Sequence, residues 1–107
     1  MTTITRVRGD DWAIPGVIAD SDTPVDLTGA TVTSQLRRHT EAATATATFT
    51  ATVTNAVAGA VTLTLADTVT AAIDPGTYVY DVQVVAGGVT TTYGAGSLLD
   101  VRGDATR

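Results

Sequence analysis

The chain has no cysteine and, because all six of its basic residues are arginine, no lysine. The missing cysteine excludes disulfides, thiolate metal sites and thiol nucleophiles, and it leaves the compartment open. Charge is also scarce: 16% of residues are charged, against about 25% in ordinary globular domains. A surface this weakly charged and free of lysine fits one that is covered in an assembly, since interfaces lose Lys and keep Arg. Codon usage in a GC-rich genome, which favours Ala, Thr, Gly and Asp, accounts for it equally well. Long apolar runs are absent too. Nothing behind Met1 reads as a leader, and no stretch nears the roughly 18 apolar residues of a membrane helix, so the expectation is a soluble chain outside the general export route and off the membrane. The net charge of −5 lacks the basic stripe that would release counterions from a phosphate backbone, so nucleic acid is not an expected partner.

What the sequence has in quantity is alternation. A length of 107 residues suits one domain with a single core. In "TATATFTATVT", Ala45, Ala47, Phe49, Ala51 and Val53 share one face and only Thr occupies the other, the period of a half-buried strand. "AVTLTLA" repeats this with Val61, Leu63 and Leu65, and "GTYVYDVQVVA" sets Tyr78, Tyr80, Val82 and Val84 against Val79, Asp81, Gln83 and Val85. Further strands are expected at 4–8, 11–19, 30–39, 89–93 and 97–101. The pair Gly87–Gly88 suits a tight hairpin, because both residues accept positive φ. "ADTVTAAI" is the one helical candidate, expected as a single turn between sheets. About seven to eight short strands with frequent turn signals predict an all-β antiparallel sandwich spanning residues 1–107.

Asp74, Gly76, Tyr78 and Tyr80 follow the D-x-G-x-Y-x-C spacing of immunoglobulin-like domains, with Tyr80 where the cysteine would stand. The resemblance implies a structural corner at Asp74, Gly76 and Tyr78, in which the tyrosine hydroxyl bonds back to the preceding turn. It also implies an Ig-like topology without the disulfide, and Trp12 comes too early to be the core tryptophan of strand C.

Three longer pieces narrow the resemblance: "RGDDWAIPGVIADSDTPVDLTGATVTSQLR", "VTLTLADTVTAAIDPGTYVYDVQV" and "GAGSLLDVRGDATR". Together they resemble small β-sandwich modules of tailed-phage virions, such as the N-terminal domain of upper baseplate proteins and short minor tail or accessory proteins of actinobacterial phages. The match runs through Gly9, Asp10 and the stretch Pro24 to Val32, which is also ordinary turn-then-strand grammar. The resemblance implies a non-enzymatic connector or accessory module of the tail tip or baseplate. Such a module is present in many copies or as a homo-oligomer, binds other virion proteins through sheet edges and loops, and is assembled in the host cytoplasm. A head-decorating or capsid-cementing role is the nearest alternative. Longer members carry a receptor-facing part after the sandwich, so an end at Arg107 implies a connector, cap or decoration.

No catalytic or cofactor-binding residues are expected. His39 is the only histidine, at a strand end, and without cysteine it makes no usual zinc site. Asp20, Asp22 and Asp26 cluster in a turn-rich loop that lacks the downstream bidentate Glu of a calcium loop. The candidate interface residues are Arg6, Arg8, Asp10, Trp12, Arg37, Arg38, Arg102 and Arg107. Trp12 has two readings, a core anchor, as large aromatics usually are, or the platform of a carbohydrate-binding module. "VRGD" occurs twice, at Val7–Asp10 and Val101–Asp104. Arg-Gly-Asp is bound by some integrins, which gives an adhesion reading. The competing reading is strand-end grammar, with the two copies at opposite poles of an up-and-down sandwich.

Overall fold

A computed structural model of the protein describes residues 3–20, 22–39, 42 and 44–103. Its elements are β1 (Thr3–Val7), β2 (Trp12–Val17), β3 (Ala19–Asp20), β4 (Thr23–Pro24), β5 (Thr31–Arg37), β6 (Ala47–Asn55), β7 (Ala60–Leu65), α1 (Asp67–Thr70), β8 (Gly76–Ala86) and β9 (Val89–Arg102). Seven of the strands connect in the order β1-β9-β8-β5-β6-β7-β2, and β3 pairs only with β4. The result is the all-β sandwich that the alternation predicts.

Two layers form because β6 serves both. Its first residues pair with β5 from Ala47 to Phe49, and its remainder pairs with β7 from Thr50 to Asn55. One sheet is therefore β1-β9-β8-β5 and the other β7-β2, with β6 turning the corner between them. In immunoglobulin terms β2, β7 and β6 occupy the places of B, E and D, and β5, β8 and β9 those of C, F and G.

Alternation decides which side chains enter the core. Trp12 and Ile14 from β2, Ala47 and Phe49 from β6, Leu63 and Leu65 from β7 and Tyr78 from β8 are buried together with Leu36, Ile73, Leu99 and Val101. A second cluster of Ile18, Leu27, Val61 and Val84 lies toward the β8–β9 hairpin, and Val82 packs against both. Phe49 meets Tyr80 edge-on, with centroids 6.0 Å apart.

Three expectations are corrected. The sandwich is not wholly antiparallel, because β1 runs parallel to β9, with Val7 beside Arg102. The segments 89–93 and 97–101 are not separate strands but one 14-residue strand whose register shifts opposite Asp81, between the Tyr80 and Val82 pairings. The third correction follows from the first. The two VRGD copies do not lie at opposite poles: Arg8 N–H donates to the Arg102 carbonyl at 3.0 Å. The chain enters and leaves the same sheet in the same direction, so both valine-ended strands exit side by side. Asp104 lies outside the described residues.

Candidate functional site

The shared exit of β1 and β9 builds one end of the molecule. β1 supplies Arg6, the turn just past it supplies Arg8, and β9 supplies Arg102 beside them. Across β9, Gly76 of β8 pairs with Val101, and across β8, Arg37 pairs with Val79. Arg38 then reaches back over the sheet end, its guanidinium 4.8 Å from the centre of the Tyr78 ring. The fold thus gathers Arg6, Arg8, Arg37, Arg38 and Arg102 at one pole. Arg107 lies outside the described residues.

These arginines hold different partners. Arg6 donates to the Ala13 carbonyl at 3.3 Å and the Thr5 carbonyl at 3.0 Å, bridging the two sheets. Arg8 donates to the Ala71 carbonyl at the end of α1, where a cation also suits the helix dipole. Arg37 donates to the Ala42 carbonyl at 2.7 Å and to Gln35 Oε1 at 2.8 Å. Arg102 pairs with Asp100 at 3.2 Å, with its side chain 66% exposed, and such a surface pair holds its partner weakly. Arg38 and Arg102 are therefore the cations readiest to meet a neighbour. Asp100 stands against Arg102, and Asp10 and Asp74 lie in the turns that adjoin β1 and β8, so this end is not a purely basic stripe.

The first VRGD turn is tied down by a residue the sequence reading passed over. Thr70 is fully buried; its Oγ1 accepts from Gly9 N–H at 3.0 Å and donates to the Asp10 carbonyl at 2.7 Å. Asp11 accepts from the Asp67 N–H at 2.7 Å, capping α1. Asp10 itself is exposed, but Arg8 is committed inward, so the first Arg-Gly-Asp is a knitted turn rather than a presented loop tip. No sequence signal marked Thr70, because a lone hydroxyl gains this role only when α1 packs beside the β1–β2 turn.

Trp12 is corrected as an interface residue. It is 1% exposed, and its indole N–H donates to the Val7 carbonyl at 2.8 Å. Its parity with Ile14 on β2 puts it inward, where it staples the β1–β2 turn to the core. The exposed platform required of a carbohydrate-binding module is not present at this residue.

The corner is formed by local geometry. The Tyr78 hydroxyl donates to the Asp74 carbonyl at 2.6 Å, and Gly76, at φ 151°, leaves room for Arg38. His39 sits exposed just past β5. Asp26 accepts from the Thr28 hydroxyl at 2.6 Å and the Thr28 N–H at 3.0 Å. Those two bonds hold its carboxyl below the ordinary carboxylate value. Among the described residues no three His, Cys, Asp or Glu groups converge on a point where a metal ion could sit.

A groove of about 280 Å³ opens on the flank of the sandwich between the edges of β2 and β9. Ile4, Ile14, Val61, Leu63 and Val82 form its apolar floor, and among the described residues no charged side chain lines it. Burial pushes the Tyr80 phenol beside it above its ordinary value, with the Arg6 charge pulling the other way. An uncharged groove with tyrosine and serine at its rim accommodates a short apolar side chain or an extended backbone. A scan of family models and a search of curated proteins each returned no match.

Proposed function

We propose that this chain is a non-enzymatic structural module of a tailed-phage virion, a connector or accessory piece of the tail tip or baseplate that binds neighbouring subunits. The observation that carries the reading is the arginine pole. Residues far apart in the chain, from both VRGD copies and from Arg37–Arg38, come together at one end of the disulfide-free sandwich, where Arg38 stays exposed and Arg102 pairs with Asp100. A surface of that kind suits a polar protein neighbour, which it positions through charge-assisted hydrogen bonds. The stretch from Pro24 to Val32, which carries the phage resemblance, forms the turn that launches β5 and so belongs to the frame of the module.

Mass spectrometry of purified particles, with antibody labelling under the electron microscope, tests this. Copies in multiples of three or six near the tail are expected. Copies in the hundreds on the head would replace the tail assignment with decoration, and virions without the chain would remove both. Arg38→Glu combined with Arg102→Glu is expected to abolish incorporation while leaving the circular dichroism spectrum unchanged.

A further inference from the structure

On the grooved flank the two sheets are tied together by Arg6. Ile4 and Arg6 of β1 stand beside Leu99 and Val101, which are buried, so both side chains turn toward the opposite sheet. Arg6 spans the gap and donates to the Ala13 carbonyl of β2. Two residues back along the same face of β1, Ile4 already lines the groove of about 280 Å³ between the sheets. Arg6 therefore closes one end of the groove.

Gly16 opens the middle. Trp12, Ile14 and Ile18 are buried, and alternation puts Gly16 on the same inward face, opposite Val61, yet Gly16 is exposed. No backbone demand explains a glycine here: its φ lies outside the left-handed region, and the register with β7 runs unbroken through it. Nor does packing within the chain, since a Cβ at this position would meet nothing within 4 Å. Glycine weakens a strand, and within one it often marks a place that another molecule approaches closely. That place is the groove, which Gly16 lines together with Ile14 and Ile18.

We propose that the groove binds a straight-chain carboxylic acid of roughly eight to ten carbons, its tail laid over Gly16 and its carboxylate on Arg6. The lining selects the tail: it is apolar apart from the Tyr80, Tyr93 and Ser97 hydroxyls and, among the described residues, uncharged, so it takes a hydrocarbon and rejects a charged body. The volume sets the length, because a methylene needs about the space of one water, roughly 30 Å³. Arg6 selects the head group. It donates only to the carbonyls of Thr5 and Ala13, and among the described residues no carboxylate pairs with it, so guanidinium N–H groups remain for an incoming carboxylate. Its charge already acts on the Tyr80 phenol in the groove wall. An extended polypeptide fits less well. The Ala13 carbonyl is taken by Arg6 and Pro15 has no N–H, so backbone groups laid along β2 would lose water without gaining a full set of partners. The inference does not rest on the virion reading.

Amide NMR spectra of the full chain, titrated with sodium decanoate below its micelle-forming concentration, test this, with decanol and decyltrimethylammonium as head-group controls. Decanoate is expected to shift the amides of Ile4, Gly16 and Val82 saturably, decanol to bind more weakly and decyltrimethylammonium not to bind. Arg6→Gln is expected to weaken decanoate by about tenfold and to leave decanol unchanged, a split that a merely loosened sheet contact would not produce. Gly16→Ile fills the groove and is expected to abolish binding of both with no fall in the thermal midpoint, while Gly16→Ala, which intrudes less, is expected to weaken both. Decanoate that leaves the groove amides unmoved overturns the proposal and leaves the groove to a polypeptide. Wild-type affinity in both Gly16 variants, or decyltrimethylammonium binding as tightly as decanoate, overturns it as well, and equal losses of decanoate and decanol in Arg6→Gln overturn the placing of the carboxylate on Arg6.

Discussion

At the scale of single residues, the corner tyrosine joins sequence to structure most directly. The spacing of Asp74, Gly76 and Tyr78 predicts a hydroxyl aimed back at the turn, and the hydroxyl donates to Asp74 at 2.6 Å. Tyr78→Phe keeps the ring under Arg38 and removes that bond, so urea denaturation should show a loss of about 1 kcal/mol. Asp26 has a different signature. The Thr28 bonds favour its charged form and lower its folded pKa below the unfolded value, so its contribution is full at neutral pH and is lost only as pH falls through the lowered folded value. A carbon-detected NMR titration should place its midpoint below that of a free aspartate, and Thr28→Ala should raise it. Thr70 and Trp12 mark the limit of reading residues singly. Parity on β2 gives the side of the strand that Trp12 takes, but the carbonyl that receives its indole comes from another sheet.

At the scale of elements, turns were easier to read than neighbours. Gly87 and Gly88, at φ 58° and 80°, form the tight hairpin their adjacency predicts, and "ADTVTAAI" gives one helical turn. Gly59 shows a demand that only packing creates. It lies at φ +69°, and a Cβ there would sit 2.5 Å from the Ile18 carbonyl oxygen and 2.9 Å from that of Val25. Gly59→Ala is therefore expected to cost more than about 3 kcal/mol, while Gly87→Ala, with open space around it, should cost only the left-handed backbone term of about 1–2 kcal/mol. Thermal melts of the two variants check the order, and equal losses would contradict the close approach at Gly59. The parallel pairing of β1 with β9 was not legible, because alternation in "TITRV" reports a buried side and carries no information about which strand lies next to it or in which direction.

At the scale of the whole molecule, Trp12 and Val82 tie the layers together. Trp12→Ala opens the centre of the larger cluster and should destabilise by about 3–5 kcal/mol. Because Val82 packs against both clusters, the sandwich is expected to unfold as one unit. Denaturation followed by Trp12 fluorescence and by far-ultraviolet circular dichroism should superimpose, and separated midpoints would mean that the hairpin end melts alone. The sequence by itself determined the strand period, the core-facing residues, the glycine turns and the tyrosine corner, since each depends on contacts within a few residues or on a hydrophobic parity of two. Tertiary structure alone decided that the two VRGD copies are neighbours and that the arginines share a pole. These are pairings between distant strands, and their direction and order are set by how the layers close over the core rather than by any local preference.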